Sequence, residues 1–231
     1  MGGIAEELAR EGANLVCVDV REEYAEKCAA AIVTEGRDAI GVACDVTDED
    51  QVLAAVSRAT ERFGGVDILV NGAAQFNFKG VLNMPVDEWR RQTDIILTGA
   101  FLFTKHVAHL MIQQERKGNI INIISTAGHQ GEPGNVGYGT AKAGLINFTR
   151  SVAMELARYG IRVNSLTPTA TGQSEGLERA ARWACGGLAG APTGTTRFGT
   201  AAGRQPGRTA AQAAQPVALR QGCGLSGIRR C

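Results

Sequence analysis

No two cysteines in this sequence stand at C-x-x-C spacing, although six are present. That removes the common zinc-ribbon and dithiol-redox patterns. Cys17 and Cys44 lie inside the apolar runs "NLVCVD" and "DAIGVACDV", where a reduced core thiol is the expected role. Histidine is equally scarce, and His106 and His109 have no thiol or carboxylate beside them in sequence, so no metal site is expected. An excess of one charge is also missing: the net charge of +1 excludes a general nucleic-acid binder. Long hydrophobic runs are lacking too, since "NIINII" is far too short to cross a bilayer. The opening "MGGIAEELAREG" carries acids and no basic stretch of a secretory leader. The expectation is a cytoplasmic protein without membrane or nucleic-acid partners. A hydrophobic fraction of 44% over 231 residues is enough for one large α/β core.

What is present is alternation. "GGIAEELAREGA" has helical spacing and stops at Gly12, and "NLVCVD" (14–19) is a short apolar run ending in an acid. "REEYAEKCAAAIVTEG" reads as helix, and "DAIGVACDV" (38–46) as strand. "TDEDQVLAAVSRATERFGG" offers Thr47 as N-cap, with Val52, Val56 and Phe63 on one stripe. "VDILVNGAA" (66–74) is a buried strand, and a long helix follows with Pro85 near its start. "GNIINIIS" (118–125), a helix ending at Gly160, and "IRVNSLTP" (161–168) complete the series. Near-continuous apolar strands alternating with helices indicate a doubly wound α/β fold, its parallel sheet covered on both faces. In such a fold ligands bind at the carboxyl ends of the strands, where Asp19, Asp45, Asn71, Ser125 and Pro168 fall.

The text changes after Gly172. Residues 173–231 hold no Lys, Asp, Asn, Tyr, Met or His, and carry eight arginines against two glutamates. No apolar period survives there. Two domains of unlike character follow: an ordered 1–172, and a low-complexity Ala/Gly/Arg-rich tail, 173–231, expected to be disordered. The enriched residues use GC-rich codons, which is also what a shifted reading frame would produce.

"GYGTAKAG" (137–144) places Tyr138 and Lys142 one helical turn apart, with Cβ atoms about 5–6 Å from one another. Ser125 ends a strand thirteen residues earlier. Together they form an acid–base constellation. A phenol titrates near 10 and is a poor proton shuttle at neutral pH. A neighbouring ammonium favours phenolate, and moving the phenol toward 7 takes roughly 4 kcal/mol of differential interaction. A serine hydroxyl can hold a carbonyl oxygen while the tyrosine passes it a proton.

Ser125, Tyr138 and Lys142, with "DILVNGAA" upstream and "GIRVNSLTPTAT" downstream, resemble the short-chain dehydrogenase/reductase family over residues 1 to about 172. The resemblance implies a Rossmann-type domain and a hydride passed between a nicotinamide cofactor and a small alcohol or ketone. It makes Tyr138 the acid–base, Ser125 the carbonyl orienter, and Lys142 both the tuner of the tyrosine and a ribose ligand. Asp19 would accept from the adenosine ribose hydroxyls and repel a 2′-phosphate, favouring NAD over NADP. Asp45 and Val46 would flank the adenine, and Asn71 and Ala73 would pack on the cofactor. Pro168, Thr169 and Thr171 match the stretch that holds the nicotinamide carboxamide. Homo-oligomers are common in the family.

The sequence also departs from that pattern. "MGGIAEELA" matches the helix that follows the family's first strand and glycine loop, so a central strand is expected to be missing, leaving neighbours with unpaired backbone groups. Ile96 stands in "DIILTG" where the family has an Asn that helps hold a water near the lysine. "NGAA" replaces the tighter Asn-Asn-Ala-Gly stretch, and Pro168-Thr169 replaces Pro-Gly. These departures keep a second reading open, a catalytically inactive remnant acting as a binding protein.

Overall fold

Each apolar run becomes one strand of a single sheet. The computed structural model describes residues 2–168 and 217–221. The strands are β1 (Ala13–Asp19), β2 (Ala39–Ala43), β3 (Ile68–Asn71), β4 (Asn119–Ile123), β5 (Arg162–Leu166) and β6 (Val217–Gln221). Their order across the sheet is β2-β1-β6-β3-β4-β5. The β1–β2, β3–β4 and β4–β5 pairs are parallel.

The helices are α1 (Gly2–Arg10), α2 (Glu22–Thr34), α3 (Glu49–Phe63), α4 (Val86–Thr93), α5 (Gly99–Gln113) and α6 (Val136–Leu156). Alternation along β1 shows how they divide. Val16 and Val18 face one core with Val52 and Phe63 of α3 and Phe103, Val107 and Met111 of α5. Leu15 and Cys17 face a second core with Ala5 and Ala9 of α1 and Ala29 and Ile32 of α2. A strand with both faces covered reads as a nearly unbroken apolar run, because all of β1 except Asn14 is buried.

Helix starts follow local polar chemistry. The N-cap of α3 is Asp48, not Thr47: its carboxylate accepts from the Asp50 and Gln51 N–H groups at 3.0 and 3.1 Å. Thr47 is taken already, donating its N–H and hydroxyl to Asp45 Oδ1 at 3.0 and 2.7 Å. The long helix runs from Val86 to Gln113 through a π-turn at Asp94–Thr98. Its 28 residues are long and apolar enough to cross a membrane by composition alone, but half of the apolar window is buried inside the protein, as in a core helix.

The expected gap in the sheet is where the structure adds most. Between β1 and β3 runs β6, antiparallel to both. Leu219 pairs with Leu15 on one side and Ile68 on the other, and Ala218 with Val16 and Leu69. The flanking strands are buried, so their backbone donors and acceptors need partners that water cannot supply. A Val-Ala-Leu segment from the tail supplies them. The remaining tail residues, 173–216 and 222–231, lie outside the described residues.

Leu219→Pro removes a ladder N–H and places a ring in the middle of this lane. It is expected to cost on the order of 3 kcal/mol, read as a lower melting temperature. Hydrogen exchange should show lost amide protection in β1 and β3 while β5 keeps its own. Unchanged protection in β1 and β3 would refute the dependence.

Candidate active site

The site begins where β4 stops. After Ile123 the chain enters a 3-10 turn, Thr126–Gly128, whose cap is Ser125. Its Oγ accepts from the Ala127 N–H at 3.3 Å. The turn presses directly on the backbone of α6, which is open to it because Gly128 lacks a side chain. A Cβ there would lie 2.8 Å from the Lys142 carbonyl carbon and 3.0 Å from the Ala143 nitrogen. This approach brings the Ser125 hydroxyl close enough to Tyr138 to lower the proton affinity of its phenol.

Tyr138 and Lys142 lie one turn apart on α6. Lys142 is only 2% exposed, and its Nζ donates to the Ile123 carbonyl at 2.6 Å. Burial holds this ammonium down at about 8, well below the ordinary lysine range. The Nζ stands 5.6 Å from the centre of the Tyr138 ring. The sequence reading gives the ammonium the upper hand over the phenol. In the structure burial has it, pushing the Tyr138 phenol above its ordinary value, while the Ser125 hydroxyl pulls down and Glu132 adds a smaller upward push.

The residues expected to face a dinucleotide gather on one edge. Asp19 closes β1, is 3% exposed, and accepts from the Arg21 N–H at 2.8 Å. Asp45 and Val46 follow β2; Val46 is buried against Gly99. Asn71 closes β3, and Ala73 lies half-buried just beyond. Pro168 is half-buried after β5; Thr169 and Thr171 lie outside the described residues. Asp19, Asn71 and Ser125 thus stand at the carboxyl ends of parallel strands, the ligand edge of a doubly wound sheet.

Asn71 has a structural commitment too. Its Nδ2 donates to Thr104 Oγ1 at 3.1 Å and Asn122 Oδ1 at 2.9 Å. Asn122 donates in turn to Thr149 Oγ1 at 2.9 Å. This buried chain ties β3, β4, α5 and α6 together. Sequence reasoning passed over Asn122, Thr104 and Thr149, although an Asn inside "NIINII" is a visible anomaly. Ile96 is 1% exposed within the π-turn and packs with Ile124, Ala141 and Leu145. The void beside it measures about 10 Å³, at the lower limit for one water, and apolar side chains dominate its lining. A larger cleft, about 940 Å³, is lined by Val81, Leu82, Ala127, His129, Glu132 and Val136 among others. Neither Ser125 nor Tyr138 lines it; its α6 residues Gly139, Thr140 and Ala143 occupy a different helical face.

A lysine whose folded value lies below its unfolded one makes the unfolded chain the better proton binder between the two values. Stability therefore rises with pH from about 8 toward 10.5, by on the order of 3 kcal/mol from Lys142 alone. Denaturant unfolding at pH 7.5 and 10 should show this increment in the wild type and its loss in Lys142→Met. Equal pH dependence in both proteins would contradict the assignment.

The short chain dehydrogenase family model matches residues 2–183. A 3-oxoacyl-[acyl-carrier-protein] reductase of Synechocystis sp. is 41% identical over 155 residues, covering 66% of this chain and 62% of that one. A galactitol 2-dehydrogenase of Agrobacterium fabrum is 40% identical over 166 residues, covering 72% and 64%. This chain thus spans less than two thirds of the length of either relative. Among solved structures, an NAD+-bound xylitol dehydrogenase superposes with a TM-score of 0.73 at 37% identity, covering 78% of this chain and 70% of that one. With the doubly wound sheet and a Ser–Tyr–Lys constellation at the end of its fourth strand, the chain belongs to the short-chain dehydrogenase/reductase family of oxidoreductases.

Proposed function

We propose that this chain is an NAD-dependent oxidoreductase that interconverts a small alcohol and its ketone. The observation that carries the reading is the convergence of Ser125, Tyr138 and Lys142: a hydroxyl near enough to the phenol to lower its proton affinity, with a buried ammonium one turn away. The donor set fits a nicotinamide dinucleotide. Asp19 offers a buried carboxylate for the ribose hydroxyls at one end of the edge, and Lys142 an ammonium at the other. The Asp19 carboxylate would repel a 2′-phosphate, which supports NAD over NADP. Asp45, Val46, Ala73 and Pro168 would line the remaining contact. When bound, the nicotinamide supplies the hydride acceptor or donor.

The chain's own residues handle the proton. Tyr138 gives it to, or takes it from, the substrate oxygen. Ser125 donates to that same oxygen and fixes its position. Lys142 holds positive charge beside the phenol, so a positive group entering the site adds to a field already present. Burial sets the phenol above its ordinary value and the ammonium down at about 8, so the lysine gives up its proton before the tyrosine does.

Two surrounding features extend the proposal. The described cysteines Cys17, Cys28 and Cys44 are free thiols, which suits a reducing cytoplasmic compartment. A groove of about 300 Å³ between α5 and α6, lined by Phe101, Phe148, Val152 and Tyr159, supports pairing with a second copy.

NADH should bind with enhanced nicotinamide fluorescence, and Asp19→Ala should weaken it roughly tenfold or more while leaving NADPH no worse. Tyr138→Phe should keep NADH binding and the melting temperature yet lose turnover of a small polyol with NAD by at least about 100-fold. No binding at millimolar NADH, or full turnover in Tyr138→Phe, would end the proposal.

A further inference from the structure

Gln92 is a long polar side chain in the wrong place. It lies on α4, is 2% exposed, and contacts the protein on every side. Its Nε2 donates to Asn77 Oδ1 at 2.6 Å, while its Oε1 is buried without a hydrogen-bond partner. The orientation of both amides is fixed from outside. Asn77 donates its Nδ2 to a Glu88 carboxylate oxygen, so its Oδ1 must face Gln92, and Gln92 must present its NH₂. Turning Gln92 over would set oxygen against oxygen. An acceptor buried without a partner costs stability, so its retention calls for an explanation.

That Oε1 rests under the helix that carries the phenol. A Cβ on Gly137 would lie 2.3 Å from it, so any larger residue immediately before Tyr138 would have to displace the Gln92 amide. The loop reached through Asn77 also touches Tyr138. Residues 75–79 form a loop, tightened where the Lys79 N–H donates to the Asn77 carbonyl at 3.0 Å, and their side chains divide by parity. Gln75 accepts from Arg91 Nε at 3.2 Å, Asn77 meets Gln92 and Glu88, and Lys79 pairs with Glu88: the odd residues are tied to α4. The even residues form an aromatic stack. Phe78 meets Phe76 edge-on at 5.4 Å, and Phe76 meets the Tyr138 ring at 5.8 Å and 66°. Burial is the leading cause of the raised phenol, and Phe76 packs edge-on against the same ring.

We propose that Gln92 is a positioning residue for Tyr138: through Asn77 it fixes the 75–79 loop so that Phe76 covers the phenol, and through its Oε1 it seats the first turn of α6. This rests on the proposed function for its consequence in turnover, but not for its structural content. The single buried amide sets both the wall and the floor of the tyrosine's environment.

The test reads Tyr138 directly, in the whole chain with no cofactor added. The protein has three tyrosines, so NMR of ring-labelled tyrosine identifies Tyr138 by the signal lost in Tyr138→Phe. Gln92→Leu keeps volume and removes the orphaned acceptor. It should melt at or above the wild-type temperature, yet lose the Phe76–Tyr138 cross-peaks and shift the phenol's titration down toward its ordinary value. Asn77→Ala should do the same to both signals, and the double variant should shift no further, because both act through one link. Unchanged cross-peaks and titration in Gln92→Leu, or additive shifts in the double variant, would overturn the proposal. If Gln92→Leu fails to fold, Asn77→Ala alone decides it by the same two signals. Failure of NADH binding in the wild type would count against the oxidoreductase reading and leave this result standing.

Discussion

A buried ammonium bonded to one backbone carbonyl governs this site. Lys142 reaches from α6 to the Ile123 carbonyl at the end of β4, and so fixes where the helix lies against the strand. Burying a charge costs several kcal/mol unless hydrogen bonds return most of it. One carbonyl returns part, and the remainder appears as the lowered proton affinity. Helix placement then decides everything nearby. Gly128 lets the turn approach α6, Ser125 rides on that turn, and Tyr138 meets its hydroxyl. A helix displaced by an ångström would separate the three groups.

Around this anchor several buried polar side chains are tied to one another. Asn71, Asn122 and Thr149 form a satisfied chain across β3, β4 and α6. Ile96 departs the other way, filling with hydrocarbon a position next to the helix that carries the lysine. The lysine's described hydrogen bond is therefore to the main chain. Gln92 alone among these side chains keeps an unmet acceptor, and it keeps it against the turn that holds Tyr138.

Much of this was legible from local pattern. The central strands β1 and β3 were readable as nearly continuous apolar runs because they are buried, whereas β5, which is largely exposed, was readable from its place after the last helix. Ser125, Tyr138 and Lys142 were readable because they lie close in sequence and share one end of one strand–helix unit. The start of α3 was misplaced by one residue because Asp45 takes Thr47 by a bond the hydrophobic pattern does not encode. Asn122 and Thr149 went unnoticed because each finds its partner across a separation that no periodicity reports. The phenol's direction was misjudged for a related reason: a charge pair is visible in spacing, whereas burial depends on Phe76 and the distant elements packed around it.

The strand in the middle of the sheet has a consequence for how the molecule is made. Leu15 and Leu219 are neighbours in space but about 200 residues apart along the chain. A ribosome releases the first two strands long before it releases the segment that lies beside them. Until then β1 and β3 each have an edge without its final partner, and the half-made sheet is open to strands from other nascent copies. So distant a pairing is slow to form, and until it forms the open edges leave the chain exposed to aggregation.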